Sequence, residues 1–138
     1  MNNIVISIED QEIADAWLEF HRHLSVGDAY HEIAMTSPHH WAVHKLIDIG
    51  MDQPERFWLL ILEIFNRSES DWQRANLAAG PLEDLLSCYG EDFIDRIEKL
   101  ANQNENFREL LTSVWKNTIT PVVWNRIQCL CSISKSSE

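Results

Sequence analysis

Glycine, proline and cysteine are scarce in this chain. Its 138 residues include four glycines, four prolines and three cysteines. Because all-β and loop-rich folds depend on many glycine and proline turns, this composition argues against both. The cysteines are odd in number, and Cys129 and Cys131 are too close for a typical disulfide; the third is Cys88. We therefore expect free thiols and a reduced, cytoplasmic location.

Positive charge and long apolar runs are also scarce. Eleven Lys and Arg residues stand against 22 Asp and Glu residues, for a net charge of -11. A nucleic-acid-binding protein needs a basic face, and so does a protein that adsorbs to an anionic membrane, so neither partner is expected. The most apolar run, 57–65, contains Glu63 and is far shorter than the roughly 20 residues of a membrane span. The acidic balance instead predicts a soluble protein with a basic protein partner.

What the chain does contain is a helical period of apolar residues in nearly every segment. Five apolar stripes are predicted to face the core: Ile13, Trp17, Phe20 and Leu24; Phe57, Trp58, Ile61, Leu62 and Phe65; Phe93, Ile94, Ile97, Leu100 and Ala101; Phe107, Leu110, Leu111, Val114 and Trp115; and Val123, Trp124, Ile127 and Leu130. About 45% of the residues are hydrophobic, which is enough for a core. We predict one domain over 1–131 and a flexible, serine-rich tail over 132–138. The period predicts helices over 8–25, 38–49, 53–66, 70–79, 81–89, 91–103, 106–116 and 121–131, with a further short helix over 28–36.

Capping residues set the expected helix ends. Starts are predicted at Ser7 with Asp10, at Ser37-Pro38, at Asp52 with Glu55, and at Thr120-Pro121. Ends are predicted at Gly27, Gly50 and Gly90, while Gly80-Pro81 is expected to end one helix and begin the next.

A weak internal repeat accompanies the helices. A shift of 36 residues superimposes Glu55 on Glu91, Phe57 on Phe93, Ile61 on Ile97 and Asn66 on Asn102. Units of about 35–40 residues with two helices each are typical of α-solenoids. We therefore predict an all-α fold of stacked antiparallel helical pairs, HEAT-like in arrangement, with an irregular helical bundle as the alternative.

One segment of the chain resembles a known kind of domain. Residues 79–86 read Ala-Gly-Pro-Leu-Glu-Asp-Leu-Leu, and Phe107-Arg108 and Val114-Trp115 follow. This pattern resembles an uncharacterised bacterial family of all-helical domains, over roughly the C-terminal two thirds of the chain. The resemblance implies a helical fold and carries no activity. A looser likeness links the chain to helical-repeat immunity proteins of bacterial toxin systems.

The residues predict no catalytic or metal site. His40 and His44 stand four apart, but Trp41 occupies the position where a metalloprotease has its glutamate, and no third ligand is evident unless His21 approaches. Two acidic pairs, Glu12 with Asp15 and Asp92 with Asp95, have the spacing that could hold Mg²⁺ in an all-helical nucleotide pyrophosphohydrolase. That enzyme is a lesser alternative, because Arg96 and Lys99 are expected to neutralise the second pair. We expect no enzyme activity and no cofactor.

Acidic and aromatic residues are the candidates for binding. Between positions 83 and 109, eight acids stand against three bases. Trp72 and Trp41 lie near helix starts and could anchor a partner, although a core position is the simpler reading for both. Trp17, Trp58, Trp115 and Trp124 lie on apolar stripes and are predicted to be core. The predicted partner-binding residues are Glu83, Asp84, Asp92, Asp95, Glu98 and Trp72.

Three functions follow from these residues. The first is an acidic protein-binding module, most specifically an immunity protein or antitoxin that neutralises a basic toxin such as a nuclease by direct binding. The second is a structural or adaptor domain. The third is the Mg²⁺-dependent pyrophosphohydrolase. The residues leave open the identity of the partner, the face that binds it, the oligomeric state and any role of the histidines between 21 and 44.

Overall fold

Helices form all of the regular secondary structure in the residues that the structure describes. The computed structural model describes residues 6–22, 24 and 30–136, with the side chains of 30, 31 and 133–136 excepted. The prediction of an all-α protein is confirmed for this part of the chain. Its helices are α1 (Ile8–Arg22), α2 (Tyr30–Thr36), α3 (Trp41–Asp52), α4 (Pro54–Arg67), α5 (Asp71–Leu77), α6 (Glu83–Gln103), α7 (Glu105–Leu111) and α8 (Pro121–Ser136), with a π-helical turn at Ala78–Leu82 between α5 and α6.

The chain divides into two compact units, Met1–Arg74 and Ala75–Glu138. In the first unit α1, α3 and α4 pack against one another in all three pairings. In the second, α6, α7 and α8 do the same. The sequence carries no proline, glycine or serine cluster at residues 74–75. The prediction of one domain over 1–131 stays a prediction.

The core of the first unit follows the predicted apolar stripes. Ile13, Trp17, Phe20 and Leu24 are all buried, as are Phe57 and five more side chains of α4. The predicted helix over 8–25 ends at Arg22, so Leu24 enters the core from beyond the helix. The predicted ending at Gly27 lies outside the described residues. The capping prediction at Ser7 is confirmed, because its Oγ accepts a hydrogen bond of 3.1 Å from the Asp10 backbone N–H.

Ion pairs join α1 to α4 along the edge of this core. The Asp10 carboxylate is buried and accepts hydrogen bonds from Arg56 Nε at 3.0 Å and from Arg56 Nη2 at 2.7 Å. Farther along α1, Asp15 pairs with Arg67 at 2.6 Å, and Arg67 also reaches Glu63. These contacts raise the pKa of both arginines, first through the hydrogen bonds that Arg56 donates to Asp10 and that Arg67 donates to Glu63. Charge complementarity between facing helix edges therefore adds to their apolar packing.

The sequence predicted that Gly50 ends α3, and this prediction is wrong. Gly50 lies inside the helix, where a Cβ atom would stand 2.8 Å from Cε2 of the Phe57 ring. The missing side chain lets α3 and α4 approach closely, so the glycine serves packing rather than capping. The neighbouring start prediction at Asp52 is also wrong, because Asp52 ends α3 and Gln53 is the N-cap of α4. The start predicted at Ser37-Pro38 comes later, since 38–40 form a turn and α3 begins at Trp41.

Of the two breaks predicted in the second unit, the one at Gly80-Pro81 is absent, whereas the one at Gly90 corresponds to a kink. At Gly80-Pro81 the chain continues through the π-helical turn, in which the Glu83 backbone N–H donates to the Ala78 and Gly80 carbonyls. The wider π-helical turn accommodates Pro81 inside the helical run, whereas in an α-helical turn the proline ring would clash with the carbonyl of the preceding turn. Next to Gly90, Tyr89 has non-helical backbone angles, with φ -135° and ψ 21°, so two helical stretches of α6 meet at a kink where the sequence predicted a helix end.

Close packing of α8 explains Gly90 as well. The glycine is buried, and a Cβ atom on it would lie 3.1 Å from Cγ1 of Val123. The predicted start of α8 at Thr120-Pro121 is confirmed, and the helix runs to Ser136, five residues beyond its predicted end. The core of the second unit contains Phe93, Ile94, Ile97, Ala101, Phe107, Leu110, Leu111, Val123, Ile127 and Leu130.

Candidate partner-binding surface

Five of the six predicted binding residues lie on α6. Asp84, Asp92 and Asp95 are exposed, while Glu83 and Glu98 are half-buried. The inward positions of this helix, Phe93, Ile94, Ile97 and Ala101, are buried as predicted, and Leu100 is half-buried. The acids follow from the amphipathic period, which places them on the side of α6 opposite the core.

Arg126 of α8 neutralises part of this acidic side. Its Nη2 lies 2.6 Å from Asp95 Oδ1 and also contacts Glu98 Oε1, while its Nε donates to Glu98 Oε2 at 2.9 Å. The hydrogen bonds that Arg126 donates to Glu98, and then those to Asp95, raise the pKa of Arg126. Asp95 and Glu98 therefore join α6 to α8 in addition to any role in binding.

The sequence predicted a neutralising role for Arg96 and Lys99, which stays a prediction, and it did not identify Arg126. In the structure the Arg96 guanidinium lies 4.6 Å from the centre of the Phe93 ring, a cation–π contact on its own helix. Arg126 was missed because it lies 28 and 31 residues from its acidic partners. Helical spacing identifies neighbours only within one helix.

At the start of α6, Glu83 and Asp84 adjoin the loop before α8. Burial and the neighbouring Asp84 raise the pKa of Glu83, whereas a hydrogen bond with the Asn117 side chain opposes this rise. Although much of Asp84 is exposed, partial burial of its carboxyl raises its pKa. Asn117 has a φ of 40°, the left-handed conformation that asparagine tolerates better than most residues.

The sequence predicted that Trp115 is a core residue, and this prediction is wrong. The helix predicted over 106–116 ends at Leu111, and Trp115 lies in the following loop with 74% of its surface exposed. Val114 and Ile119 are buried on either side of it and fix the loop to the core. The loss of apolar period at Lys116-Asn117-Thr118 is the feature of the sequence that marks this loop.

The remaining tryptophans divide between core and surface. Trp17 and Trp58 are buried, as predicted, and Trp124 is half-buried. Trp72, the sixth predicted binding residue, is half-buried on α5, within the first unit. Trp41 at the start of α3 is 48% exposed, which leaves part of its ring open to a partner.

The histidines around α1 and α3 form an aromatic cluster. His21 is buried and stacks on Trp17 at 3.8 Å between ring centres, and its Nδ1–H donates to the Trp17 carbonyl at 2.9 Å. His40 contacts the rings of Phe20 and His44. Burial lowers the pKa of His21 and of His40. Both imidazoles are packed against aromatic rings.

Within the described part of the chain, no three His, Cys, Asp or Glu side chains are grouped so as to hold a metal ion. Of the carboxylates in the Mg²⁺ hypothesis, Asp15 pairs with Arg67 and Asp95 with Arg126. All three cysteines are free, and Cys131 is buried while Cys88 and Cys129 are exposed. None of the helices in the described residues is both long and apolar enough to cross a membrane.

The chain belongs to a family of unknown function (DUF6869), whose model matches residues 29–133. This match agrees with the expected likeness to an uncharacterised domain family. No curated protein and no solved structure matches the chain.

Proposed function

We propose that this protein is an acidic binding module that recognises a basic protein. The observation that carries the proposal is the set of exposed carboxylates on α6 that lie outside the Arg126 ion pairs, namely Asp84, Glu91 and Asp92. Glu91 also shares a helical face with Asp95 and Glu98, because these residues are four and three apart. The arrangement presents more negative charge than Arg126 offsets.

The most specific form of the proposal is an immunity protein, or antitoxin, for a basic toxin such as a nuclease. A nuclease must attract phosphates and therefore carries positive charge near its active site. A partner with a net charge of -11 would be steered toward it and would cover the site with carboxylates. In this proposal the protein acts in the bacterial cytoplasm, where a nuclease toxin would meet its substrate.

Exposed Trp115 supplies the apolar contact that such a complex needs. Tryptophan is enriched among the residues that dominate binding energy, and the loop around it is fixed by buried Val114 and Ile119. A fixed loop loses little conformational entropy on binding. Charge on α6 would thus set the rate of association, and Trp115 would slow dissociation.

The finer architecture that we propose is a HEAT-like stack of helical pairs. The 36-residue repeat aligns α4 with the second half of α6, and each is followed by the seven-residue helix α5 or α7. Two helices per repeat match the plan of an α-solenoid. The alternative architecture is an irregular helical bundle. The alternative function is that of a structural or adaptor domain.

The Mg²⁺-dependent hydrolase is the weaker alternative. It needs free carboxylates that converge on a metal, whereas Asp15 and Asp95 each contact an arginine. An arginine at that distance competes with a cation for the carboxylate oxygens.

The test is affinity capture on the immobilised protein from an extract of the native host, followed by a nuclease assay. We expect a basic captured protein whose nuclease activity falls when one equivalent of this protein is added. Its association rate should decrease steeply with salt, since charges are screened beyond about 10 Å at 0.1 M.

A matched pair of variants locates the charge effect. Glu91→Gln with Asp92→Asn should slow association, because it removes exposed charges outside the Arg126 pairs. Neutralisation of Glu12 and Glu32, which are exposed in the first unit, should have a smaller effect on the rate. Capture of acidic proteins only, or inhibition that salt leaves unchanged, would contradict the proposal.

A further inference from the structure

The outer side of α3 is unusually apolar for an exposed helix surface. Trp41, Ile47 and Met51 are 48%, 49% and 74% exposed, and His44 between them is exposed as well. We call these four residues the α3 face. They stand three or four positions apart, so the helical period places them in one row along α3.

The opposite side of the same helix is already occupied. Ala42, Leu46 and Ile49 are buried where α3 packs against α1 and α4. A surface helix ordinarily needs only one apolar side, with polar residues on the other. The row of large apolar side chains on the α3 face therefore exceeds what the fold requires, and such patches mark interaction sites.

From this face we infer that α3 docks an amphipathic helix of a partner protein, apolar on one side and flanked by lysine or arginine. Helix-in-groove recognition uses anchors at the same three- and four-residue spacing. The row from Trp41 to Met51 is about 15 Å long, which about ten residues of a partner helix would match. Methionine at one end suits such a contact, because its flexible thioether adapts to different side chains.

The charges around the face determine the kind of partner. Asp48 and Asp52 are exposed on α3, whereas Lys45 is paired with Glu9 at 3.6 Å. The rim is therefore acidic, and basic residues beside the apolar side of a partner helix would complement it. The first unit contains five Lys and Arg residues and thirteen Asp and Glu residues. All five basic residues form ion pairs within that unit.

A second copy of this chain fits the face less well. Two copies would each bring a net charge of -11 and the same acidic rim. The four residues of the α3 face are also few beside the roughly 20–30 residues that each partner contributes to a stable interface. The inference is independent of the function proposed above, because the α3 face belongs to the first unit and the α6 acids to the second.

The test is binding of two labelled amphipathic peptides of about 14 residues with one apolar pattern, one built from Leu and Lys and the other from Leu and Glu. We expect the Leu/Lys peptide to bind the full chain about tenfold or more tightly than the Leu/Glu peptide. The variant Ile47→Gln with Met51→Gln keeps every charge and should weaken binding about tenfold. The variant Asp48→Asn with Asp52→Asn should weaken it as well.

Val122→Gln is the matched control, because Val122 is 67% exposed on α8 in the second unit. It should leave the affinity unchanged, and circular dichroism should show that all variants keep their helices. Equal binding by wild type and the Ile47→Gln, Met51→Gln variant would overturn the inference, since only general charge attraction would remain. A wild-type dimer in sedimentation that this double variant abolishes would also overturn it, in favour of a second copy.

Discussion

At the scale of single residues, Gly50 and Gly80 occupy helical positions with opposite surroundings. A Cβ atom on Gly50 would stand 2.8 Å from the buried Phe57 ring, whereas one on Gly80 would have no neighbour within 4 Å. Alanine favours a helix over glycine by about 1 kcal/mol, but forcing a methyl group into a packed contact costs about 1–3 kcal/mol.

We therefore expect Gly50→Ala to lower the free energy of unfolding by about 1 kcal/mol. Gly80→Ala should leave it unchanged or raise it by up to about 1 kcal/mol. Urea unfolding of the two variants measures both effects. A stabilised Gly50→Ala variant would show that Phe57 can move and that the close approach of α3 and α4 is not required.

His21 links stability to pH. Burial and the nearby His40 lower its pKa below the ordinary value of 6.5, while its hydrogen bond to Trp17 opposes the shift. The unfolded chain therefore binds a proton more readily than the folded one, so stability falls as the pH drops below about 6.5. Between about pH 7 and 5.5 we therefore expect the free energy of unfolding to decrease as the pH falls.

The measurement is urea unfolding across that pH range for the wild type and for His21→Gln. The variant will be less stable at neutral pH, because it loses the stacking on Trp17, but its stability should depend less on pH. An equally steep dependence in the variant would assign the effect to other groups.

At the scale of helices, ion pairs differ in what they contribute. Arg56 of α4 holds the buried Asp10 of α1, whereas Arg74 pairs with Asp71, whose side chain is fully exposed. Arg56→Ala should lower the free energy of unfolding by about 1–3 kcal/mol, because it leaves a carboxylate buried without its cation. Arg74→Ala should change it by less than about 0.5 kcal/mol.

Chemical denaturation compares these two variants directly. Asp10→Asn with Arg56→Met should recover part of the Arg56→Ala loss, since no charge then stays buried without a partner. Similar losses for Arg56→Ala and Arg74→Ala would mean that Asp10 reaches solvent when its arginine is removed.

At the scale of the whole molecule, we expect a helical protein whose stability is independent of metal. The far-UV circular dichroism spectrum should be that of a helical protein, and a strand content above about one fifth would contradict it. Addition of a chelator should leave the melting temperature unchanged. A drop of many degrees that zinc restores would reveal a site that involves His40 and His44.

Local patterns in the amino-acid sequence suffice to locate the helices and their apolar sides. Positions such as Ile13, Phe57, Ile97 and Ile127 were identified correctly, because the 3.6-residue period of a helix is local in the chain. The start of α8 at Thr120-Pro121 was also predicted correctly, because proline constrains only its immediate neighbours in the chain.

Sequence patterns do not predict the environment of a residue that contacts a helix far away in the chain. Gly50 was predicted to end a helix, yet it lies inside α3, where the ring of Phe57 packs against it. Gly90 was predicted to end a helix and adjoins the kink at Tyr89, and its close contact with Val123 of α8 was not predictable from the sequence. Trp115 lies on an apolar stripe in the sequence but is exposed in a loop, because α7 ends at Leu111.

The candidate surfaces divide in the same way. The acids of α6 were identifiable from their density in the sequence, whereas the cation that neutralises two of them, Arg126, arrives from α8. The apolar α3 face was not predicted. The spacing of Trp41, Ile47 and Met51 shows that they share a side of the helix, but it does not show whether other helices cover that side. Spacing along the chain reports local geometry, while burial and charge pairing depend on how the helices pack.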